Sequence, residues 1–337
     1  MGLLVGGVFL LFINTSPFKA FQVLLQSAFG CVSTDHCAFW STLQYATPLI
    51  FSGLSAAVAF RAGILSIGQA GQMFLGAGIA NWMAYHSGIP DFIHPAYALF
   101  GAAIIGALYG IIPGILKTSL GVNEIIVTII LNSIAAYLVG IVPSGWGRGL
   151  PQSSRLASLA VGTKLNTGFF IAIGALVVVY LLLWKTSWGY EVRMAGQAPR
   201  FSHAGGIHTT RSVIMAMALS GALAGIGGGI EVLGVHYRLI SNFSGSDNFD
   251  GLVVALLGQS HPIGVLIASI LLGGIRLGAM TGLSIRLGIP RSLGGIMIAT
   301  MVIIMGSELI YEKVFRWLKI VLKKQRSQGS SKEKELI

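Results

Sequence analysis

VNEIIVTIILNSIAAYLVGIVP, residues 122–143, carries one formal charge, Glu124, close to its start. An α-helix needs about 20 mainly apolar residues to cross the hydrocarbon of a bilayer, and this stretch has the length and the composition. Its polar residues are ordered rather than scattered: Asn123, Glu124, Thr128 and Asn132 recur at helical spacing along one stripe. A polar stripe on a spanning helix faces protein or water, never lipid, so this helix needs neighbours. Glu124 sits near an end, where ionisation costs little, which suits a solvated or helix-capping role as well as a functional one.

Working outward, similar apolar runs occupy residues 2–14, 40–60, 64–86, 95–117, 167–185, 212–234, 242–259, 262–281 and 292–313, which gives about ten spans in all. The first is short and lacks the basic start and small-residue cleavage site of a secretory signal, so it reads as a tilted or truncated span. The run at 242–259 has a polar, Gly-containing first half, Ser241 to Phe249, and reads as a spanning, broken or re-entrant segment. Composition agrees with a lipid solvent: 54% of the 337 residues are hydrophobic and 10% charged, against about a quarter charged in a soluble domain. The 46 glycines fit helices packed backbone to backbone, whereas glycine at this density would weaken helices in water. The sequence predicts an all-α polytopic membrane protein and excludes a soluble enzyme.

The net charge of +11 is concentrated at the C-terminus, where eight basic residues lie between Lys313 and Lys334. A basic segment directly after a hydrophobic helix reads as a cytoplasmic anchor rather than a nucleic-acid site. An even number of crossings then places both termini in the cytoplasm. Arg61, Lys117, Lys185, Arg193, Arg200 and Arg211 join the tail inside, making fourteen of the 22 basic residues. Arg148, Arg155 and Lys164 dissent from the long connection at 144–166, and long loops obey the charge rule least. Residues 1–313 thus form a membrane domain with an inside loop at 185–211, and residues 314–337 a basic tail. Cys31 and Cys37, the two cysteines, fall outside the membrane, where an oxidising compartment permits a disulfide without requiring one.

Gln69 and Gln72 share a helix face beside Gly63, Gly68 and Gly71, and either tie helices together or line a polar path. Neutral hydrogen-bonding groups suit an uncharged polyol or base, so Gln69, Gln72, Asn123 and Asn132 are the candidate pathway residues. Arg276, inside an apolar run, requires a counter-charge or a wet cavity. The chain contains no GxxxxGK[ST] phosphate loop, no HExxH and no GxSxG elbow, and its histidines are scattered. It carries no ATP site, metal site or cofactor site of its own.

Four segments together resemble the permease family of bacterial ATP-binding cassette (ABC) importers for branched-chain amino acids, ribose-type sugars and nucleosides, the nucleoside branch above all. Phe60, Gly63, Ile67, Gly68, Gly71 and Gln72 stand in register with that family's Phe-x-x-Gly-x-x-Asn-Ile-Gly-x-Glu-Gly-Gln segment, while Ser66 and Ala70 depart from it. Asn123 to Thr128 with Asn132 is similar to the nucleoside-type Asn-Glu-Val-Ile-x-Thr-x-x-x-Asn. The run from Leu256 through Gly264 to Gly278 is similar as well. Arg193, Gly196, Gly206 and Ile207 match the family's coupling segment, from which Gln197 and His203 depart. The resemblance implies an ABC permease fold with a cytoplasmic coupling helix, in the bacterial inner membrane. Arg193, Gly196, Gln197, Arg200 and Gly206 would face a separate ATPase subunit that binds ATP and magnesium. A second permease, identical or different, and an extracytoplasmic solute-binding protein would complete the assembly, and the cargo would be a nucleoside, or else a ribose-type sugar or branched-chain amino acid. Of other classes, an ion-coupled secondary transporter would place acids at midplane, and an enzyme on lipid-linked substrates would cluster acids or histidines at one interface. Here most acids lie near predicted helix ends, and outside the basic tail Asp247 with Asp250 is the close acidic pair.

Overall fold

The computed structural model of the chain describes residues 16–31, 37–86, 90–141, 148–159, 162–240 and 250–287. From Phe18 onward these belong to one unit that runs to Arg291. Helix α1 (Pro17–Phe29) precedes α2 (Ala38–Arg61), α3 (Gln69–Met83), α4 (His94–Leu120), α5 (Glu124–Ile141) and α6 (Gly168–Lys185). Two short helices follow, α7 (Ser187–Gln197) and α8 (Pro199–Ala204), then α9 (Thr209–Ile230), α10 (Asp250–Leu257) and α11 (Pro262–Leu277). Wider π-helical stretches extend α9 through Glu231–His236 and α11 through Gly278–Arg286. Among the described residues, β-pairing is confined to two isolated bridges, and one of them joins Cys31 to Cys37, which form a disulfide.

Six of these helical stretches are long and apolar enough to cross a membrane among the described residues: Ala38–Arg61, His94–Leu120, Glu124–Ile141, Gly168–Lys185, Thr209–His236 and Pro262–Arg286. Two expected spans differ. The run expected at 64–86 starts its helix only at Gln69, because Gly63 closes α2 in a left-handed conformation (φ 78°) and residues 64–67 are non-helical. The run at 242–259 contributes an eight-residue helix, Asp250–Leu257, too short to cross, while residues 241–249 lie outside the described part. The runs at 2–14 and 292–313 and the basic tail also lie outside it. Helix α1 answers to none of the expected runs, its apolar residues being interrupted by Lys19, Gln22 and Gln26.

Helix α9 is the axis of the bundle, packing on α4, α3 and α2, while α11 and α10 pack on the other side of α2. Glycine sets how closely these helices approach. A Cβ on Gly106 would strike the carbonyl oxygen of Gly221, a Cβ on Gly221 that of Gly106, and a Cβ on Gly225 that of Ala102. Such contact lets dispersion and interhelical polar contacts act where lipid offers no hydrophobic drive. Deeper in the same core the Ser55 and Ser220 hydroxyls of α2 and α9 lie 2.9 Å apart, and Ser220 donates to the Ser55 carbonyl (2.8 Å). Helix α2 is buried along most of its length, whereas α5 turns Ile126, Ile130, Tyr137 and Ile141 outward. The dissenting loop at 144–166 folds, in its described part, onto the end of α9: Leu150 N–H donates to the Tyr237 carbonyl (2.8 Å) and Leu156 N–H to that of Leu233 (3.1 Å).

Overpacking a backbone-to-backbone crossing costs about 3 kcal/mol where nothing flexible can yield. Gly221→Val is expected to cut the yield of folded chain in the membrane and lower its thermal midpoint in detergent. Gly140→Ala, whose Cβ meets nothing within 4 Å, should leave both unchanged.

Candidate functional site

The break between α2 and α3 is the irregular point of the core. Helix α2 ends with the Gly63 N–H donating to Phe60 O (3.0 Å) and the Ile64 N–H to Ala59 O (3.0 Å), a glycine-terminated cap. The chain beyond it runs without helical bonds until Gln69, yet non-helical peptides inside a membrane domain must find partners. Helix α5 supplies them. Thr128 Oγ1 accepts from the Ile67 N–H (3.3 Å), Asn132 Nδ2 donates to the Ile67 carbonyl (2.9 Å), and Asn132 Oδ1 accepts from the Gly71 N–H (2.9 Å). Ser66 Oγ accepts from the Gly68 N–H (3.2 Å). The α5 stripe is therefore a clamp on the broken segment. Gly68 and Gly71 are glycine because a Cβ at either would press on Thr128 or Asn132.

Gln69 and Gln72 open α3 directly after this clamp, and each is 2% exposed. Gln69 Nε2 donates to the Ser66 carbonyl (3.1 Å), which fixes the amide so that Oε1 points elsewhere. The Oε1 atoms of both residues are buried with no hydrogen-bond partner among the described residues. A buried acceptor without a partner costs about 1–3 kcal/mol, so two on one helix face mark a place where a donor belongs. Of the four pathway candidates, the structure brings together Gln69, Gln72 and Asn132. Asn123 stands apart: it is exposed, and its Oδ1 accepts from the Ile125 N–H (3.0 Å) as the N-cap of α5. Next to it, Glu124 pairs with Lys117 Nζ (2.7 Å), tying α4 to α5. Arg276 meets its required counter-charge in Asp250 (3.0 Å), which joins α10 to α11.

The inside loop folds as two helices rather than one. Pro199, which has no N–H to continue a helix, opens α8 at its first turn, and Ala198 between them leaves helical geometry (φ −143°, ψ 71°). The left-handed residue that closes α8 is Gly206 (φ 82°), and Ile207 N–H returns to Ser202 O (3.0 Å). Gly196 lies against the end of α2, where a Cβ would strike the carbonyl of Arg61. Arg193 Nη1 donates to Leu183 O (2.6 Å) in α6. Ser212 Oγ of α9 donates to Glu191 Oε2 (3.2 Å), and Ala195 joins Ala59, Ile64, Val213 and Met217 in a common apolar cluster. Thus α7 is seated on α2, α6 and α9 at once. Gln197 and Arg200 are exposed, as are Tyr190 and Phe201. Trp184, which packs between Arg193 and the end of α2, is the neighbour that sequence reading passed over. Its signal was Tyr180 and Trp184 four apart at the end of an apolar run, and the two rings stack at 5.8 Å.

Losing Asn132 would leave the Ile67 carbonyl and the Gly71 N–H unpaired, at about 1–3 kcal/mol each. Asn132→Leu is expected to destabilise the purified chain far more than Asn123→Ala, which removes a cap worth about 1 kcal/mol. Thermal unfolding in detergent measures the difference, and equal losses would contradict the clamp.

With this architecture in view, comparison with known proteins is direct. The family model for the branched-chain amino acid transport system permease component matches residues 39–306. The guanosine ABC transporter permease protein NupP of Bacillus subtilis is 32% identical over 333 residues, covering 95% of this chain and 94% of the relative. The nucleoside ABC transporter permease protein NupB of Lactococcus lactis is 31% identical over 92% of this chain and 89% of its own. The glucose ABC transporter permease protein TsgB13 of Haloferax volcanii is 28% identical over 92% and 86%. A bundle of apolar spans, an interrupted helix clamped by its neighbour and a family match across most of the length lead to one conclusion: this chain is a polytopic membrane protein of the branched-chain amino acid transport permease family, a permease component of an ABC transporter.

Proposed function

We propose that the chain is the permease subunit of an ATP-driven importer that carries nucleosides into the cytoplasm. The observation that carries this reading is the pair of buried, unpartnered acceptors at Gln69 and Gln72, beside the clamped break between α2 and α3. A nucleobase N–H or a ribose hydroxyl would satisfy them, and an uncharged solute needs no counter-ion in the bilayer. Two relatives matched over nearly their whole length are named for guanosine or nucleosides, which supports the same solute class. Asn132 and Thr128 serve the pathway by holding the broken segment open to its partners. Asn123 acts from the end of α5 as its cap.

Energy would come from outside the chain, since it has no phosphate loop. We place α7 and α8 against an ATPase subunit that binds ATP and magnesium, with Gln197 and Arg200 in the contact and Arg193, Gly196 and Gly206 setting the shape of the element. A second permease, identical or different, would share the pathway, and a solute-binding protein would deliver the cargo on the far side. The bacterial inner membrane, with both termini in the cytoplasm, fits the charge bias. Ion coupling is disfavoured by pairing: Glu124 is held by Lys117, Glu231 by His236 (3.3 Å), Asp250 by Arg276, and Glu191 accepts from Ser212.

Cells lacking the gene should lose uptake of radiolabelled guanosine and recover it with the intact gene. Gln69→Leu and Gln72→Leu keep the volume and remove the acceptor, so each is expected to lower uptake about three- to tenfold with the chain still in the membrane. Guanosine uptake untouched by the deletion, with ribose or a branched-chain amino acid lost instead, would overturn the nucleoside reading. Full uptake by both variants would remove the two glutamines from the pathway.

A further inference from the structure

Three helices end at one point on the side that carries α7. Arg61 is the last residue of α2, Leu183 and Trp184 fall in the last turn of α6, and Gln259 and Ser260 form the turn that follows α10. Helix C-termini present unpaired carbonyls and partial negative charge. Two guanidinium groups occupy this junction. Arg61 Nε donates to Ser260 O (3.1 Å) and its Nη2 to Gln259 O (3.0 Å), while Arg193 of α7 donates to Leu183 O. Both cations lie on one ring: Arg61 is 5.3 Å and Arg193 5.6 Å from the centroid of the Trp184 indole. His261, at the N-terminus of α11, meets the same indole edge-on at 4.8 Å. Among the described residues no carboxylate pairs with either arginine. Two like charges are thus held side by side by carbonyl ends and one aromatic quadrupole.

This arrangement matters because of what it joins. Helix α7 touches α2, α6 and α9 directly, whereas the α10–α11 turn is linked to it through Trp184, His261 and Arg61. In that turn Gln259 and Ser260 both hold left-handed conformations (φ 52° each), and the Asp250–Arg276 pair binds α10 to α11. The Arg193 side chain that holds the Leu183 carbonyl lies on the same indole as Arg61.

The geometry points to Trp184 as a positioning residue for transport, the shared seat through which movement of α7 reaches the α10–α11 turn. The inference rests on the reading of α7 as the element driven by the ATPase. In this role Trp184 acts through Arg61 and Arg193 and not as a ligand of solute or nucleotide.

The test uses the whole transporter, with its ATPase, second permease and binding protein, reconstituted in proteoliposomes, and reads guanosine moved per ATP hydrolysed. Trp184→Leu keeps apolar volume and discards the ring; the assembly should continue to hydrolyse ATP while the ratio falls about tenfold. Trp184→Phe, which keeps an aromatic face, should restore most of it. A simple packing role would lower hydrolysis and transport in proportion and would leave the ratio unchanged, and that result would overturn the proposal. Should Trp184→Leu fail to assemble, Arg61→Gln separates α2 from the turn and from the indole, and the same drop in ratio is required of it. Arg200→Glu, on the exposed face, reports separately on the underlying reading. Normal co-purification of the ATPase with that variant would count against α7–α8 as its docking element, whatever the Trp184 variants show.

Discussion

A peptide group inside hydrocarbon has no water to turn to, so every N–H and C=O that leaves a helix must be met by protein. The break between α2 and α3 follows from that constraint, and carbonyls at two helix ends on the α7 side are met by side chains as well. Where α2 stops at Gly63, the backbone beyond it is met by Thr128 and Asn132 from α5. Where α10 stops at Leu257, the carbonyls of Gln259 and Ser260 are met by Arg61 from α2. Where α6 stops, Leu183 is met by Arg193. Side chains that would look like functional polar groups in a linear sequence are thus partners of backbone. Oε1 of Gln69 and Oε1 of Gln72, like Ser27 Oγ and Trp188 Nε1 elsewhere, are buried without a hydrogen-bond partner among the described residues, and the two glutamines stand out because they share one helix face beside the clamp.

Close packing divides the molecule mechanically. The α4–α9 crossing, with glycine backbones of both helices in contact at Gly106 and Gly221, has no room to slide without lifting apart. Helix α7 also docks through a glycine, Gly196, but it is short and is held to the core by the apolar cluster at Ala195 together with polar and aromatic contacts at the helix ends. A short element seated on the ends of several helices, beside a closely packed glycine seam, is where we propose that an external force enters.

Much of the fold was legible because lipid imposes length. The runs read at 40–60, 95–117, 122–143, 167–185, 212–234 and 262–281 correspond to long helices, with ends displaced by a few residues. The break at 64–68 was legible in its ingredients, three glycines and two glutamines in a hydrophobic stretch, but its position was not. What decides where the helix resumes is Thr128 and Asn132, some sixty residues away, and no local pattern contains that partner. The polar stripe of α5 was read as facing protein or water, and Thr128 and Asn132 do meet protein, yet a stripe cannot distinguish a group that binds solute from one that binds a neighbouring backbone. Asn123 shows the local limit. Standing just before the apolar run and just after Gly121, a left-handed helix terminator (φ 65°), it had the sequence signature of an N-cap and was read for the pathway instead. Trp184 was passed over for a related reason: an aromatic residue at the end of a spanning run ordinarily marks the membrane interface, and its two arginines come from distant segments.

The central claim is that this chain provides the path and another subunit the energy. Its most direct test is accumulation of radiolabelled guanosine in proteoliposomes that contain the permease pair and binding protein, with and without the ATPase subunits. The account predicts accumulation only with the ATPase and hydrolysable ATP, and none driven by a proton or sodium gradient. Accumulation by the permease alone in response to such a gradient would contradict it.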